Sequence, residues 1–173
     1  MKKTNIRLRV CGVLILLNLI VIWGNSLLPG EISGAISGWV RDVIKAILRM
    51  DGLGGGTGHG LIRKCAHFME FAVLGSLLTW RFAMVQKPKF MALLCGVLVA
   101  GADETIQRFV PGRGPSIRDV MIDTAGTLAG IGILLAGCAI LKAWRTQKRE
   151  KMDDGSAGNG TVGDDACLRK EEK

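Results

Sequence analysis

Ionisable side chains interrupt the apolar sequence of this 173-residue chain in two places. Near residue 67, Lys64, His67 and Glu70 follow one another at intervals of three and therefore share one side of a helix. Residues 103–123, with the sequence DETIQRFVPGRGPSIRDVMID, hold four acids and three arginines between two apolar runs. Acids, a histidine and basic groups at such spacing can bind a ligand, relay protons or act as general acid and base.

The second stretch repeats the pattern of polar residues on one helix face. Glu104 and Gln107 are three residues apart, and Asp119 and Asp123 are four apart. An unpaired charge that faces lipid at mid-helix costs about 2.5–3.5 kcal/mol on insertion scales. We therefore expect the acids to face the bundle interior, to pair with a basic residue, or to be protonated. The acids are Glu70, Asp103, Glu104, Asp119 and Asp123, and the candidate basic partners are Lys64, Arg113 and Arg118. The hypothesis is a polar, outward-opening pocket among the second, third and fourth apolar spans. The candidate ligand-binding cluster consists of Lys64, His67, Glu70, Asp103, Glu104, Gln107, Arg113, Asp119 and Asp123.

The same cluster has a simpler interpretation, because ion pairs and hydrogen bonds among these groups could serve only to lock the helices together. Arg113 favours a binding role. It lies between Gly112 and Gly114, and its planar guanidinium could clamp a phosphate or a carboxylate.

The chain contains four long apolar segments, and the last three of them carry or flank these side chains. Each is about 20 residues long, enough to cross a hydrocarbon core of about 30 Å at about 1.5 Å per residue. They cover approximately residues 8–28, 66–84, 90–109 and 119–141. Apolar residues recur at helical spacing over residues 32–48, which predicts an amphipathic helix on the outer membrane surface or against the bundle. The predicted fold is all-α, an integral membrane bundle of four transmembrane helices with an extracytoplasmic amphipathic helix.

Composition supports a multi-pass membrane protein, because 49% of the residues are apolar although 22% are charged. The formal charge of +8 favours the lipid bilayer as a partner, and no nucleic-acid partner is predicted, since the basic residues flank apolar spans. The distribution of Lys and Arg predicts a cell-membrane location with both termini in the cytoplasm. The five cysteines lack metal-like spacing, and the sequence predicts no metal site and no cofactor.

Two further features concern domain limits and helix packing. Residues 1–145 are predicted to form the membrane domain. Residues 146–173 are predicted to be a disordered cytoplasmic tail, because they are charged and Gly-rich and lack an apolar period. Gly126 and Gly130 form a GxxxG pair, which predicts that a neighbouring helix approaches the last span closely.

Three motifs occur in order along the chain: K-x-x-H-x-x-E in RKCAHFMEFAVLG, D-E-x-x-Q in ADETIQRF, and R-x5-D-x3-D in GRGPSIRDVMIDTAGTLAG. With these motifs the chain resembles the VanZ-like family over roughly residues 6–141. The resemblance implies a multi-pass membrane protein of the cell envelope of a Gram-positive bacterium. It also implies a link to antibiotic resistance, since the named member of the family is associated with resistance to teicoplanin-type glycopeptides.

Three classes of function remain open. The first is a non-enzymatic protein that binds an envelope ligand, either a lipid-linked cell-wall precursor or a glycopeptide, and so reduces antibiotic action. The second is an intramembrane hydrolase or transferase for a lipid-linked phosphate, with His67 or Glu104 as base and the acids holding Mg²⁺. The third is a small proton- or cation-coupled transporter. The chain contains no G-x-S-x-G, P-loop or HExxH element and no visible inverted repeat, which favours the binding protein over the other two.

Overall fold

The computed structural model of the protein describes residues 2–48, 58–114 and 116–157. All regular secondary structure in these ranges is α-helix, as the sequence predicts. The helices are α1 (Lys2–Leu27), α2 (Gly30–Leu48), α3 (Gly58–Met84), α4 (Phe90–Gln107) and α5 (Ile117–Ala157).

In the described part of the chain, three helical segments are long and apolar enough to cross a membrane. They are Asn5–Leu27 in α1, Phe90–Gln107 in α4 and Ile117–Arg149 in α5, and they match the first, third and fourth predicted spans. The second predicted span lies in α3, which is not among the three. His67, Glu70 and Arg81 interrupt its apolar sequence and lower its hydropathy. A count of four spans therefore stays a prediction.

Contacts between Cα atoms divide the chain into two units, Met1–Leu134 and Leu135–Lys173. α5 continues past the predicted domain boundary at residue 145 and ends at Ala157, because residues 142–151 are rich in Lys, Arg, Gln and other good helix formers. The remainder of the predicted disordered tail, residues 158–173, lies outside the described residues.

α3 is the central helix of the first unit and contacts α1, α2 and α4. Its buried face recurs every three or four residues through His67, Phe71, Leu74 and Leu78. The apolar part of this face packs with buried residues of α1 and α4, namely Ile22, Ala92 and Ala100. The polar end of the same face, at His67, is thereby placed at one end of the hydrophobic core.

Glycines let the backbones of α3 and α5 touch. A Cβ atom on Gly126 would lie 2.4 Å from the carbonyl oxygen of Phe68, and one on Gly130 would lie 1.8 Å from that of Ala72. Ser76 adds a hydrogen bond across the contact, since its Oγ donates to the Gly130 carbonyl at 2.9 Å. The close approach predicted from the GxxxG pair is confirmed, with α3 as the neighbour.

Large apolar side chains cover the outside of the bundle, and its interior contains buried polar groups beside the apolar core. Leu16, Leu98 and Ile133 are 58%, 65% and 68% exposed, whereas Asp103 and Thr127 are completely buried. An exterior with so many exposed large apolar side chains suits a lipid environment.

The predicted amphipathic segment forms α2. Ser33 and Ser37 are buried, whereas Ile32, Ile36 and Trp39 lie exposed. The helix therefore presents small polar groups to the protein and large apolar groups to its surroundings. Its position on the extracytoplasmic surface stays a prediction.

Candidate functional site

Asp103 and Gln107 reach the interior because they continue a buried stripe of small residues. The buried residues of α4 are Ala92, Gly96, Ala100, Asp103 and Gln107. Small side chains at the first three positions let neighbouring helices pack close, so Asp103 is fully enclosed. Gln107 Nε2 donates to Asp103 Oδ2 at 2.8 Å and to Ser26 Oγ of α1 at 3.2 Å, which fixes the carboxylate.

One side chain from each of three helices meets at this level. His67 of α3, Asp103 of α4 and Asp123 of α5 each offer a nitrogen or oxygen atom within 4.8 Å of the other two. His67 Nδ1 lies 3.9 Å from Asp103 Oδ2. His67 Nδ1 and the Oδ1 atoms of both aspartates have no hydrogen-bond partner among the described residues. We call these three side chains the buried triad.

An ion pair between Lys64 and Asp119 links α3 to the start of α5. Lys64 Nζ lies 3.4 Å from Asp119 Oδ1, and both side chains are partly exposed. Such a half-exposed ion pair contributes roughly 0–1 kcal/mol to stability, so its main effect is to position the two helix ends. Glu104 accepts a hydrogen bond from the backbone N–H of Ser116 and links α4 to the residue before α5.

Asn25, near the end of α1, connects the two remaining predicted residues. Its Nδ2 donates to Glu70 Oε1, and its backbone oxygen accepts a 2.9 Å hydrogen bond from Arg113 Nη2. Glu70 Oε2 is buried without a partner in the described structure. Asn25 of α1 therefore orients both Glu70 of α3 and Arg113 of the turn between α4 and α5.

The turn that carries Arg113 is packed against the start of α2. Gly30 donates its N–H to the Pro111 carbonyl at 3.2 Å, and a Cβ on Gly30 would lie 2.5 Å from the Gly112 oxygen. Gly112 has φ +76°, a left-handed conformation that glycine adopts without strain. The predicted tight turn at residues 111–115 is thus held by α2, with residue 115 outside the described residues.

Arg113 keeps free hydrogen-bonding capacity in a half-buried position. Its Nε and Nη1 have no acceptor among the described residues. Burial, and then the positive charge of Arg63, lower the pKa of Arg113 from its usual value, whereas the acids Asp103, Asp119 and Glu104 act in the opposite direction. An anion that bound these two nitrogens would recover the solvation that the guanidinium has lost.

Two cavities border these groups. The larger has a volume of about 150 Å³. Its polar lining consists of Asn25, Ser33, Ser37, Arg63, His67 and Arg113. The smaller, of about 10 Å³, is lined by Arg63, Lys64, His67, Gln107, Asp119, Ile122 and Asp123. Arg63 and His67 border both cavities.

Sequence reasoning missed Asn25, Ser26, Ser33, Ser37 and Arg63. A signal existed for the first two, because an Asn-Ser pair at the end of an otherwise apolar helix has to find partners inside the bundle. Nothing in the sequence separates Ser33 and Ser37 from ordinary residues of an amphipathic helix. Only the packing of α2 against α3 brings them to the cavity.

An apolar outer surface, membrane-length helices and an interior cluster of ionisable groups define a helical membrane protein. The chain belongs to the VanZ/LLP1 family, whose model matches residues 9–141. The match includes every residue of the predicted cluster. No curated protein and no solved structure shows significant similarity to the chain.

Proposed function

We propose that this protein binds an anionic group of an envelope ligand in the larger cavity and thereby reduces the action of teicoplanin-type glycopeptides on a Gram-positive cell. The ligand is a lipid-linked cell-wall precursor or the glycopeptide itself. The observation that carries the proposal is that Arg113 borders that cavity while two of its guanidinium nitrogens have no hydrogen-bond acceptor among the described residues.

The size and charge of the larger cavity support an anion of limited size. A volume of about 150 Å³ is below the roughly 300–1,000 Å³ of sites that enclose drug-sized ligands. A phosphate or a terminal carboxylate would fit, and the rest of the ligand would stay outside. Arg63 and Arg113 both border this space, and an arginine fork matches the two oxygens of either group.

The proposal includes four membrane spans, with α3 as the second and both termini in the cytoplasm. α3 has 27 residues, about 40 Å at about 1.5 Å per residue, which is enough to cross the bilayer. Its ionisable residues His67 and Glu70 contact protein rather than lipid, so its polar composition does not exclude a membrane position. In this orientation the larger cavity lies near the extracytoplasmic side, where cell-wall precursors are used.

An intramembrane hydrolase or transferase for a lipid-linked phosphate is the second candidate. His67 favours it, because this residue borders the anion cavity and lies 3.9 Å from a carboxylate oxygen. A histidine next to a carboxylate is an arrangement suited to general-base catalysis.

The test uses the full-length protein purified into lipid nanodiscs. Arg113→Ala should weaken binding of a lipid-linked cell-wall precursor, or of labelled teicoplanin, by about 10- to 100-fold, because hydrogen bonds to a charged group contribute roughly 1.5–3 kcal/mol. Arg118→Ala is the matched control, since Arg118 is exposed and borders neither cavity. Teicoplanin susceptibility of cells that express each variant at equal abundance supplies the cellular measurement.

The outcomes separate the parts of the proposal. Equal binding by wild type and Arg113→Ala would disprove the anion site. Binding without any change in teicoplanin susceptibility would remove the resistance role and leave the site. Release of phosphate from the lipid-linked precursor by wild type would favour the enzyme instead.

A further inference from the structure

We propose that the buried triad of His67, Asp103 and Asp123 binds a divalent transition-metal ion, Zn²⁺ or Mn²⁺. The sequence alone assigns no metal here, because the three residues are separated by 36 and 20 positions and match no metal motif. They become neighbours only through the packing of α3, α4 and α5.

The distances suit one small cation. The ligand-type atoms lie within 4.8 Å of one another, so at least one point lies no more than about 2.8 Å from all three, since 4.8 Å divided by the square root of three is the largest radius needed to enclose them. Protein ligands bind zinc at about 2.0–2.2 Å. Shifts of less than about 1 Å in each side chain would bring the three atoms to these distances and leave further positions of the ion for water or ligand.

The unpaired atoms of the triad supply the second observation. Asp103 is 0% and Asp123 is 3% exposed, and each has an Oδ1 atom without a hydrogen-bond donor among the described residues. The buried Nδ1 of His67 also has no partner there. Buried carboxylate oxygens without a hydrogen-bond donor are costly, and a dipositive ion would compensate both of them.

Space and support for the ion are present. The cavity of about 10 Å³ touches His67 and Asp123, and this volume is about that of one water-sized probe. Gln107 donates to Asp103 Oδ2, and Oδ1 has no donor within the described part of the chain, as expected where a second residue orients a metal-binding carboxylate.

The donor set selects the class of metal. Carboxylates suit Mg²⁺, Ca²⁺ and Mn²⁺, whereas imidazole suits Zn²⁺ and other transition ions, so one nitrogen with two carboxylates favours Zn²⁺ or Mn²⁺ over Mg²⁺. Two carboxylates and a neutral imidazole balance the charge of a divalent ion. Because His67 also borders the larger cavity, the ion would lie beside the proposed anion site.

The test measures metal directly and does not depend on ligand binding. Full-length protein in detergent, stripped with a chelator, is titrated with Zn²⁺, Mn²⁺ and Mg²⁺ by calorimetry, and bound metal is counted by mass spectrometry after desalting. We expect saturable binding of Zn²⁺ or Mn²⁺ at one ion per chain and a metal-dependent rise in melting temperature. Asp123→Asn should lower the affinity at least tenfold and abolish that rise.

Controls keep the result interpretable. Glu31→Gln removes an exposed acid of α2 outside the triad and should bind metal like wild type. Asp123→Asn that elutes as a folded species and retains wild-type affinity would overturn the site. Should this variant fail to fold, wild type alone decides, because absence of saturable binding or preference for Mg²⁺ over both transition ions would overturn the assignment.

Discussion

Gly30 lies outside the cavity and packs against the turn that carries Arg113. A Cβ at this position would lie 2.5 Å from the backbone oxygen of Gly112, and glycine has none. The N–H of Gly30 donates a hydrogen bond to the Pro111 carbonyl. The cavity itself is bordered by Arg113 and not by Gly30. At the scale of single residues, the geometry of the charged group therefore depends on a glycine that contributes no side chain.

Gly30→Ala should displace the 111–113 turn and weaken binding of the lipid-linked precursor by about tenfold, with no charge removed. The contact is to backbone, which cannot move aside as a flexible side chain does. Binding is measured in nanodiscs, as for Arg113→Ala. Gly34→Ala is the control, because nothing lies within 4 Å of a Cβ at that position. Equal weakening by both variants would indicate a general effect on α2 rather than on the turn.

At the scale of elements, the contact between α3 and α5 sets the spacing of the ionisable groups. The Gly126 and Gly130 contacts lie within seven residues of Asp123 on the same helix. A change in that spacing would move Asp123 away from His67. The geometry of the buried triad therefore depends on the close packing of α5 against α3 at these glycines.

Gly130→Ala should lower the free energy of unfolding by about 1–3 kcal/mol, because the new methyl group would lie 1.8 Å from the Ala72 oxygen and force the helices apart. Thermal unfolding in detergent measures the effect. Gly132→Ala, two residues away in open space, should leave stability unchanged or raise it slightly through its better helix propensity. A Gly130→Ala protein as stable as the Gly132→Ala protein would contradict the backbone contact.

At the scale of the whole molecule, the membrane topology depends on whether α3 crosses the bilayer. A bundle with four spans and an N-terminus in the cytoplasm places the α3–α4 loop inside and the α4–α5 turn outside. A bundle in which only α1, α4 and α5 cross places these two connections the other way round. One labelling experiment therefore distinguishes the two arrangements.

We expect Gly114→Cys to react with a membrane-impermeant maleimide in intact cells and Lys87→Cys to react only after permeabilisation. Both positions are exposed, and a Cβ at Gly114 meets open space. The five native cysteines are first replaced, and an N-terminal tag fixes the side of that terminus. The reverse labelling pattern with a cytoplasmic N-terminus would establish three spans and contradict the proposed topology.

Much of the fold could be predicted from the sequence because it depends on local periodicity. The helices at residues 8–28, 90–109 and 119–141 follow from runs of apolar residues long enough to cross a bilayer, and the structure confirms them within a few residues at most boundaries. α5 extends further, since charged residues with good helix propensity continue the helix without continuing the apolar run.

The candidate cluster was less accessible to prediction. Lys64, Glu104 and Asp119 stand out as charges inside apolar sequence, but their actual partners do not. Asn25 binds Glu70 and Arg113, although the three are far apart in the chain. Spacing along one helix identifies which residues share a face, and it contains no information about which helix that face meets.

The sequence by itself determined that the chain is helical, that most of it suits lipid, and that its ionisable residues occupy particular helix faces, because these properties depend on neighbours three or four positions away. The sequence grouped His67, Asp103 and Asp123 in one predicted cluster, but only the tertiary structure decided that these three meet within 4.8 Å of one another. It also decided that α2 holds the turn of Arg113 and that α1 supplies Asn25. Those contacts join residues tens of positions apart, and they exist because glycines and small side chains let the helices pack close enough for polar groups to reach one another.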